Sequence, residues 1–239
     1  MVTDIVVVTC DRYITLEQTL QYIWERTTPD TYRITVIDDA STDGTQEYLT
    51  HLKETKQIYQ LDLRPERLGC TRYFDGIFEL TESDPVVFTD DDILCPKLKP
   101  DWLSQGLKAM ETHPGMGLIA LNNPEANLGG GRALRKHYSR DVTLIQAVGG
   151  TFGFIRREVL KDCAGIGIPA LDLIPAQSLC YQIWMHPTHW RIGYLTYVYC
   201  FHNQEWSNRA NRITTNPRRR HLLNPEDENT LEPRETLRG

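Results

Sequence analysis

The amino-acid sequence predicts an α/β protein built on a mostly parallel sheet. Two patterns support this prediction. Short β-branched apolar runs alternate with segments of helical period along about the first hundred residues, and aspartates follow the second and the fourth of these runs. Alternating strands and helices form parallel sheets with right-handed crossovers. Such sheets bind ligands beyond the carboxyl ends of their strands, so we expect the functional site at that edge.

The predicted elements of the first half follow one another in regular order. The first strand is a run of β-branched residues, and the helix after it has Leu16, Leu20 and Ile23 near one face. The predicted strands are 5–9, 32–37, 58–63 and 85–89, and the predicted helices are 14–25, 45–53 and 71–80.

The second half is predicted to be a mixed α/β region. After residue 100 the predicted strands are 116–121, 143–148 and 195–201, and helices are predicted at 103–111 and 156–162. A flexible loop that contains three glycines is predicted at 122–132, and residues 149–153 lie between a predicted strand and a predicted helix. The last residues differ in composition, because 207–221 contain five arginines and no acid, whereas 222–239 contain five acids. We expect a tail there that is mobile or stabilised by a partner.

Composition and charge exclude several classes of protein. The chain has 239 residues and a net charge of −6, from 26 basic and 32 acidic residues, which argues against a general phosphate-backbone binder. Its apolar runs are far shorter than the roughly 18 to 20 residues that span a bilayer. Asp4 occupies a place where a secretory signal would carry positive charge, so we expect a cytoplasmic protein. The six cysteines are scattered and are expected to be free buried thiols.

Three consecutive aspartates, Asp90, Asp91 and Asp92, end the fourth predicted strand. Adjacent carboxylates repel one another unless a cation or hydrogen-bond donors compensate them. Oxygen ligands suit Mg²⁺ or Mn²⁺, which commonly take one or two protein carboxylates and complete their shells with phosphate and water. The alternative is a solvated acidic turn before Pro96, and the triplet alone favours neither interpretation.

A second acidic pair, Asp38 and Asp39, ends the second predicted strand. Neighbouring strand ends of a parallel sheet meet at one crevice, so the two acidic ends would face the same cleft. A carboxylate there can accept a hydrogen bond from a base N–H or a ribose hydroxyl. The alternative is helix capping, which we expect of Ser41 and Asp43 in either case.

Three motifs together resemble the family 2 glycosyltransferases of the GT-A fold. Residues 6–12 (VVVTCDR) are similar to the opening strand and nucleotide loop, residues 36–45 (VIDDASTDGT) to the second-strand motif, and residues 87–92 (VFTDDD) to the metal motif. Their order and spacing agree over about the first hundred residues. The resemblance implies a GT-A type fold, with helices on both faces of a mostly parallel sheet.

The resemblance implies a nucleotide-sugar donor bound across the strand ends. Thr9 and Asp11 would lie near the nucleoside, and Asp39 near the base. Arg67 and Arg72 stand where the family places donor contacts, although Arg72 could equally form a salt bridge on a helix face. The donor-binding residues that the resemblance implies are Thr9, Asp11, Asp38, Asp39, Arg67, Arg72, Asp90 and Asp91.

The resemblance also implies a divalent metal, Mn²⁺ or Mg²⁺, on the donor diphosphate. Asp90 would lie by the ribose, and Asp91 or Asp92 would hold the metal, because the family's Asp-x-Asp motif fits 90–92 or begins one residue earlier. His202 follows a predicted strand where many relatives place a metal-binding histidine, and the alternative is a packed or surface histidine. The metal ligands implied in this way are Asp91, Asp92 and His202.

The acceptor side is expected in the second half of the chain. Gly149, Gly150 and Thr151 resemble the family's acceptor-side glycine segment. Inverting relatives usually carry a Glu-Asp pair whose Asp deprotonates the acceptor hydroxyl, but residues 168–184 contain no such pair. Asp172 is the nearest carboxylate and becomes the candidate base, with a loop acid or helix cap as the alternative. This departure leaves open whether the reaction is inverting or retaining.

The resemblance divides the chain into one GT-A domain and a C-terminal segment. Residues 1–206 would form the domain, with the donor half at 1–100 and the acceptor half at 101–206. Residues 207–239 would form a lid and charged tail, in which arginines near its start stabilise the leaving diphosphate. The alternatives are a basic surface for an anionic acceptor, or arginines that pair with the acidic tail.

The sequence therefore predicts a metal-dependent glycosyltransferase that moves a sugar from a nucleotide diphosphate to an acceptor hydroxyl. The resemblance makes a UDP-sugar the first expectation for the donor. The acceptor stays open, anionic compounds and nucleic acid included. One alternative is a catalytically degenerate module that binds sugar nucleotides or glycans. A lesser alternative is a nucleotidyltransferase, although residues 10–13 supply no phosphate-binding glycine after the first strand.

Overall fold

The computed structural model contains a large mixed sheet with helices on both faces. The structure describes residues 2–69, 76–123, 136–145, 148, 152–163 and 190–203. Its strands are β1 (Thr3–Thr9), β2 (Tyr32–Asp38), β3 (Gln60–Leu63), β4 (Val86–Asp90), β5 (Ile93–Leu94), β6 (Met116–Asn122), β7 (Lys136–His137), β8 (Val142–Leu144), β9 (Gly153–Ile155), β10 (Arg191–Tyr199) and β11 (Phe201–His202). Its helices are α1 (Tyr13–Arg26), α2 (Thr45–Glu54), α3 (Ile77–Leu80), α4 (Trp102–Thr112) and α5 (Arg157–Cys163).

The parallel half of the sheet brings three strand ends together. β1 lies between β2 and β4 and is parallel to both, and β3 continues the sheet beyond β2. The register pairs Thr9 with Asp38, and Val8 with Asp90. The carboxyl ends of β1, β2 and β4 therefore form one edge of the sheet. The predicted alternation of strands and helices is confirmed in this half.

The other half of the sheet mixes strand directions. Within the described residues the strand order is β3-β2-β1-β4-β9-β6-β10-β8-β7. β9 is antiparallel to both β4 and β6, whereas β10 is parallel to β6. The sequence predicted no strand at Gly153, but this residue begins β9. A Cβ atom there would lie 2.5 Å from Phe88 Cζ, so the glycine serves close packing against β4 rather than a turn.

Two hydrophobic cores cover opposite faces of the sheet. Successive side chains of β1 alternate between them, with Ile5 and Val7 in one core and Val6 and Val8 in the other. The first core includes the apolar faces of α1, α2 and α4, and the second includes residues of α3 and α5. Burial on both faces explains why the first strand is apolar at every position of this run.

A short second sheet holds the segment that follows β4. β5 and β11 are antiparallel, and Ile93 pairs with His202. The sequence predicted one strand over 195–201, whereas the structure divides this segment into β10 and β11. The division occurs at Cys200, whose backbone N–H donates to Asn122 O on β6 at 3.0 Å before the chain turns to β5. This change of partner carries His202 toward the end of β4.

The described helices are short. The longest of them, α1, has 14 residues, and none in the described part of the chain is both long and apolar enough to cross a membrane. All described residues belong to one compact unit, Met1–Asn203. The boundary expected at 206 and the lid and tail expected at 207–239 lie outside the described residues and stay predictions.

Candidate functional site

The loops after β1, β2 and β4 meet at the carboxyl edge of the sheet. Asp39 N donates to Thr9 O at 3.0 Å, which extends the pairing of β1 and β2 by one residue. Asp90 is the last residue of β4, and the next two residues form a turn. The structure thus gathers at one edge the predicted site residues Thr9, Asp11, Asp38, Asp39, Asp90, Asp91 and Asp92.

Asp90 and Asp91 are carboxyl groups in a poorly solvated place. Burial raises the pKa of Asp90 to about 7, with the charge of Asp92 adding to the rise and Arg12 opposing it. Burial also raises the pKa of Asp91 to about 7, against the opposing charge of Arg12. Asp91 is 3% exposed, and its Oδ2 accepts from Thr9 Oγ1 at 2.6 Å. Burial is the main cause of both raised pKa values, so a negative charge on either group is costly here unless a cation lies close by.

Arg12 contacts the carboxylates of Asp91 and Asp92. Its Nη1 lies 2.6 Å from Asp92 Oδ2 and 3.3 Å from Asp91 Oδ1. The residue occupies the N-cap position of α1, and its side chain is 52% exposed. One guanidinium group thus offsets part of the charge of two buried carboxylates. The sequence marks Arg12 only as the last residue of a matched motif, because a partner 80 positions away leaves no local signal.

Asp92 and His202 form the part of the site that fits a metal ion. Asp92 is 6% exposed, and its Oδ1 has no hydrogen-bond partner among the described residues. His202 Nε2 lies 3.4 Å from that oxygen. His202 Nδ1 is also buried without a hydrogen-bond partner in the described part of the chain. A buried carboxylate oxygen beside an imidazole is a donor set that suits a divalent cation such as Mn²⁺.

The described residues offer a metal ion few protein ligands. Across the described ranges, no group of three or more His, Cys, Asp or Glu side chains is placed to hold a metal ion. Mg²⁺ sites commonly use one or two protein carboxylates and complete the shell with substrate phosphate and water. Both oxygens of Asp91 already contact Thr9 or Arg12. Of the predicted aspartates 91 and 92, Asp92 is therefore the one with an oxygen that accepts no hydrogen bond from the described residues.

Asp39 holds the loop that follows β3. Its Oδ1 accepts from Leu68 N and its Oδ2 from Gly69 N, both at 2.9 Å. Arg64 Nη1 lies 3.5 Å from Oδ1, and Asp39 is 1% exposed. The carboxylate therefore fixes the backbone of the loop that carries Arg67. The expected contact between Asp39 and a base stays a prediction. Arg64 is a further site residue that the sequence did not single out.

Asp38 closes the loop between β2 and α2. Its Oδ2 accepts from Ser41 N at 3.0 Å and from Gln46 Nε2 at 2.8 Å. Its Oδ1 is buried and has no hydrogen-bond partner in the described ranges. The prediction that Ser41 caps a helix is wrong, because Ser41 Oγ accepts from the backbone N–H of Asp11 at 2.8 Å. The hydroxyl thereby joins the loop after β2 to the loop after β1.

Asp11 and Arg67 form an ion pair at the rim of this edge. Thr42 N donates to Asp11 Oδ1 at 2.7 Å, and Arg67 Nη2 contacts Asp11 Oδ2. The hydrogen bond from Thr42 N, together with Arg67, lowers the pKa of Asp11. Asp43 joins the same loops, since it accepts from the first backbone N–H of both α1 and α2. Arg67 is about half exposed, so its cation is accessible to a ligand at the edge.

Several predicted residues lie outside the described part of the chain. They are Arg72, Gly149, Gly150, Thr151 and Asp172. Their assignments to the donor, the acceptor and the base stay predictions.

The fold and its acidic edge agree with the class of protein that the sequence comparisons identify. Residues 4–163 match the family described as glycosyl transferase family 2, and the chain belongs to that family. The match includes the three motifs on which the resemblance rested, so the expected family is confirmed. No curated protein sequence matches the chain.

Solved structures of transferases share this fold. The mannosyltransferase PcManGT from Pyrobaculum calidifontis, in complex with GDP-Man and Mn²⁺, is 23% identical with a TM-score of 0.68, over 88% of this chain and 59% of that one. S. aureus TarS 1–349 in complex with UDP-GlcNAc is 17% identical with a TM-score of 0.63, over 84% of this chain and 58% of that one. GalNAc-T7 with UDP, GalNAc and Mn²⁺ is 15% identical with a TM-score of 0.61, over 84% of this chain and 43% of that one.

The likeness to these structures defines the fold class. The described chain has the GT-A type fold, a mixed α/β fold with a large, mostly parallel central sheet, and the expected fold class is confirmed. The chain spans about three fifths of the length of PcManGT and TarS 1–349, and less of GalNAc-T7.

Proposed function

We propose that this chain transfers a sugar from a nucleotide diphosphate donor to an acceptor hydroxyl, with a divalent metal on the diphosphate. The main support for this proposal is the acidic edge of a family 2 domain, where Asp92 Oδ1 is buried 3.4 Å from His202 Nε2. Among the described residues that oxygen has no hydrogen-bond donor. A buried carboxylate oxygen without a partner is costly, and a cation at this point would remove the cost.

Asp92 and His202 would hold the metal, with Asp91 as a further candidate ligand. When bound, a divalent cation neutralises the charge that develops on the diphosphate as its bond to the sugar breaks. Thr9 Oγ1 fixes the direction of the Asp91 carboxylate through its 2.6 Å hydrogen bond. Asp90, at the end of β4, would accept from a ribose hydroxyl.

The nucleoside would bind over the ends of β1 and β2. Asp11 is held in place by Thr42 N, which orients its carboxylate at the rim. Arg67, and Arg72 by its position in the motif, would contact the phosphate or ribose side of the donor. Asp38 and Asp39 would complete the donor site, with Asp39 near the base. Asp39 would also act on the donor indirectly. Its hydrogen bonds from the backbone after β3 fix the loop that carries Arg67.

The acceptor would bind on the side of the second half of the chain. Gly149, Gly150 and Thr151 are proposed to line it, and Asp172 is the proposed base. The base takes the proton of the acceptor hydroxyl as its oxygen attacks the sugar carbon, and the diphosphate leaves with the bonding electrons. A retaining reaction would need no such base, so the stereochemistry of the product is part of the test.

The donor can be identified by thermal stability against nucleoside diphosphates and nucleotide sugars, each with and without Mn²⁺. UDP compounds come first and GDP compounds second, because structures of this fold hold UDP-GlcNAc and GDP-Man. A ligand at about a hundred times its dissociation constant stabilises a protein by roughly 2.7 kcal/mol. We expect a metal-dependent shift for one nucleotide family. No shift with any nucleotide, in a folded sample, contradicts the proposal.

The metal assignment can be tested with Asp92→Asn. This variant keeps the shape of the side chain but removes the charge of the proposed ligand, so we expect loss of transfer and of the Mn²⁺-dependent shift. Glu111→Gln, an exposed position of α4, is the matched control and should retain both. Full transfer by Asp92→Asn would rule out the metal assignment. Donor binding without transfer or donor hydrolysis by the unaltered chain would indicate a binding module.

A further inference from the structure

We propose that Arg12 sets the metal affinity of this site, because it holds Asp91 and Asp92 before a metal binds and competes with the cation for Asp92. The inference rests on the metal site of the proposed function. It concerns a side chain outside the predicted ligand set. Its consequence is that removal of the Arg12 charge tightens metal binding.

The two oxygens of Asp92 face different partners. Oδ2 lies 2.6 Å from Arg12 Nη1, and Oδ1 lies 3.4 Å from His202 Nε2 without a hydrogen bond in the described part of the chain. A cation between Oδ1 and His202 would therefore share one carboxylate with the guanidinium group. The cation and the guanidinium group would each lie beside an oxygen of the same carboxylate. Two positive charges that close together repel by kcal/mol amounts near a protein surface. Metal binding would thus weaken or displace the Arg12 contact.

Arg12 can leave the carboxylates without disturbing the fold. Its backbone carbonyl is anchored, since it accepts from Leu16 N at 3.0 Å and from Thr15 Oγ1 at 3.1 Å. The side chain, by contrast, is 52% exposed and contacts the aspartates through one terminal nitrogen. Movement of the guanidinium group into solvent would therefore leave the start of α1 in place.

When no metal is bound, Arg12 stabilises the folded protein. Asp91 and Asp92 are 3% and 6% exposed, so solvent alone screens their mutual repulsion poorly. Arg12 contacts both of them. A residue that served the fold alone would stabilise the metal-free and the metal-bound protein equally. A residue that competes with the metal stabilises the metal-free protein more than the metal-bound protein. This difference separates the two roles.

The test is Mn²⁺ binding to the full chain by titration calorimetry, together with melting temperature with and without Mn²⁺. We expect Arg12→Met to bind Mn²⁺ about tenfold more tightly than the unaltered chain. We also expect it to melt at a lower temperature without metal and to gain more from Mn²⁺. Arg12→Lys keeps the charge and should stay near the unaltered affinity. Lys108→Met removes one exposed positive charge on α4 and should change neither value.

Two results would overturn the inference while leaving the metal site of the proposed function intact. One is unchanged or weaker Mn²⁺ binding by Arg12→Met. The other is an equal gain in affinity for Arg12→Lys, since the charge is retained there. If Arg12→Met does not fold, Arg12→Gln, which is neutral but keeps a hydrogen-bond donor, decides by the same criterion. If neither the unaltered chain nor any variant binds Mn²⁺, the metal assignment itself fails and the role of Arg12 fails with it.

Discussion

The aspartate oxygens at the carboxyl edge of this sheet are of two kinds, those that accept hydrogen bonds and those that do not. Both oxygens of Asp39 accept from backbone N–H groups of the loop after β3. Asp92 instead has one oxygen on Arg12 and one without a hydrogen-bond partner among the described residues. The first arrangement fixes a loop, whereas the second leaves a buried acceptor oxygen without a hydrogen bond. Residues of the same type and similar burial therefore have different uses within one site.

The hydroxyl of Thr9 is expected to matter for stability because of its bond to Asp91. Thr9 is 1% exposed, and its Oγ1 donates to Asp91 Oδ2 at 2.6 Å. Thr9→Val preserves the shape at the end of β1 but leaves that buried oxygen without its donor. We expect a loss of about 1 to 3 kcal/mol in the free energy of unfolding. Urea denaturation of the metal-free protein measures this loss. Thr9→Ser keeps the hydroxyl and should lose less, and equal losses would contradict the assignment.

Asp4 is expected to stabilise the opposite edge of the sheet in a pH-dependent way. Burial opposes its ionisation, but hydrogen bonds from Arg33 and from the N–H groups of Ser83 and Glu82 outweigh burial and lower the pKa of Asp4. Because the folded pKa lies below the unfolded value, the stabilisation is complete above that value, about pH 4, and is lost as the pH falls through the folded pKa.

Asp4→Asn tests this dependence by denaturation at several pH values. At pH 7 we expect a loss of about 3 kcal/mol, since one partner of a buried ion pair is removed. The difference from the unaltered chain should narrow as the pH falls below about 4. Glu54→Gln, at an exposed position of α2, should show no such narrowing. A difference that is constant from pH 7 to pH 3 would contradict the role of the Asp4 charge.

At the scale of elements, α4 packs so closely on β9 that it has room only for glycine at one position. A Cβ atom on Gly106 would lie 2.0 Å from Phe154 Cζ, and Phe154 is fully buried. Ala normally stabilises a helix by about 1 kcal/mol relative to Gly. Here the steric conflict reverses that preference.

Gly106→Ala is therefore expected to destabilise the protein by about 2 kcal/mol or more, measured by urea denaturation. Gly115→Ala, at a position where a Cβ would meet nothing within 4 Å, is the control and should stay close to the unaltered stability. A stabilising effect of Gly106→Ala would show that α4 and β9 are less tightly packed than the structure indicates.

At the scale of the whole molecule, the two ends of the parallel strands differ in their charged groups. The carboxyl ends of β1, β2 and β4 carry the acidic site, while the opposite end carries the Asp4 and Arg33 ion pair. We expect a nucleoside diphosphate with Mn²⁺ to slow amide hydrogen exchange at 9–13, 38–43 and 90–93. Exchange at 2–4 and 84–86 should change little. Protection confined to the second set would place the ligand at the wrong edge and contradict the proposed site.

The sequence predicts the parallel half of this fold better than the mixed half. Strands 5–9 and 32–37 and helix 14–25 agree with β1, β2 and α1 to within about two residues. Their signals are local, since apolar period and turn residues lie within each segment. β9 was missed because three residues that begin with glycine give no strand pattern. Its place between β4 and β6 depends instead on contacts across the sheet.

By itself the sequence determined the order of the elements in the parallel half and the acidic strand ends at Asp38, Asp39 and Asp90. Period and turn chemistry are properties of neighbouring residues, so the chain carries them locally. Only the tertiary structure decided which carboxylate oxygens accept hydrogen bonds and which have no hydrogen-bond partner among the described residues. That choice depends on partners such as Arg12 and Asp92, which are 80 positions apart, and a sequence pattern does not record the direction of a side chain.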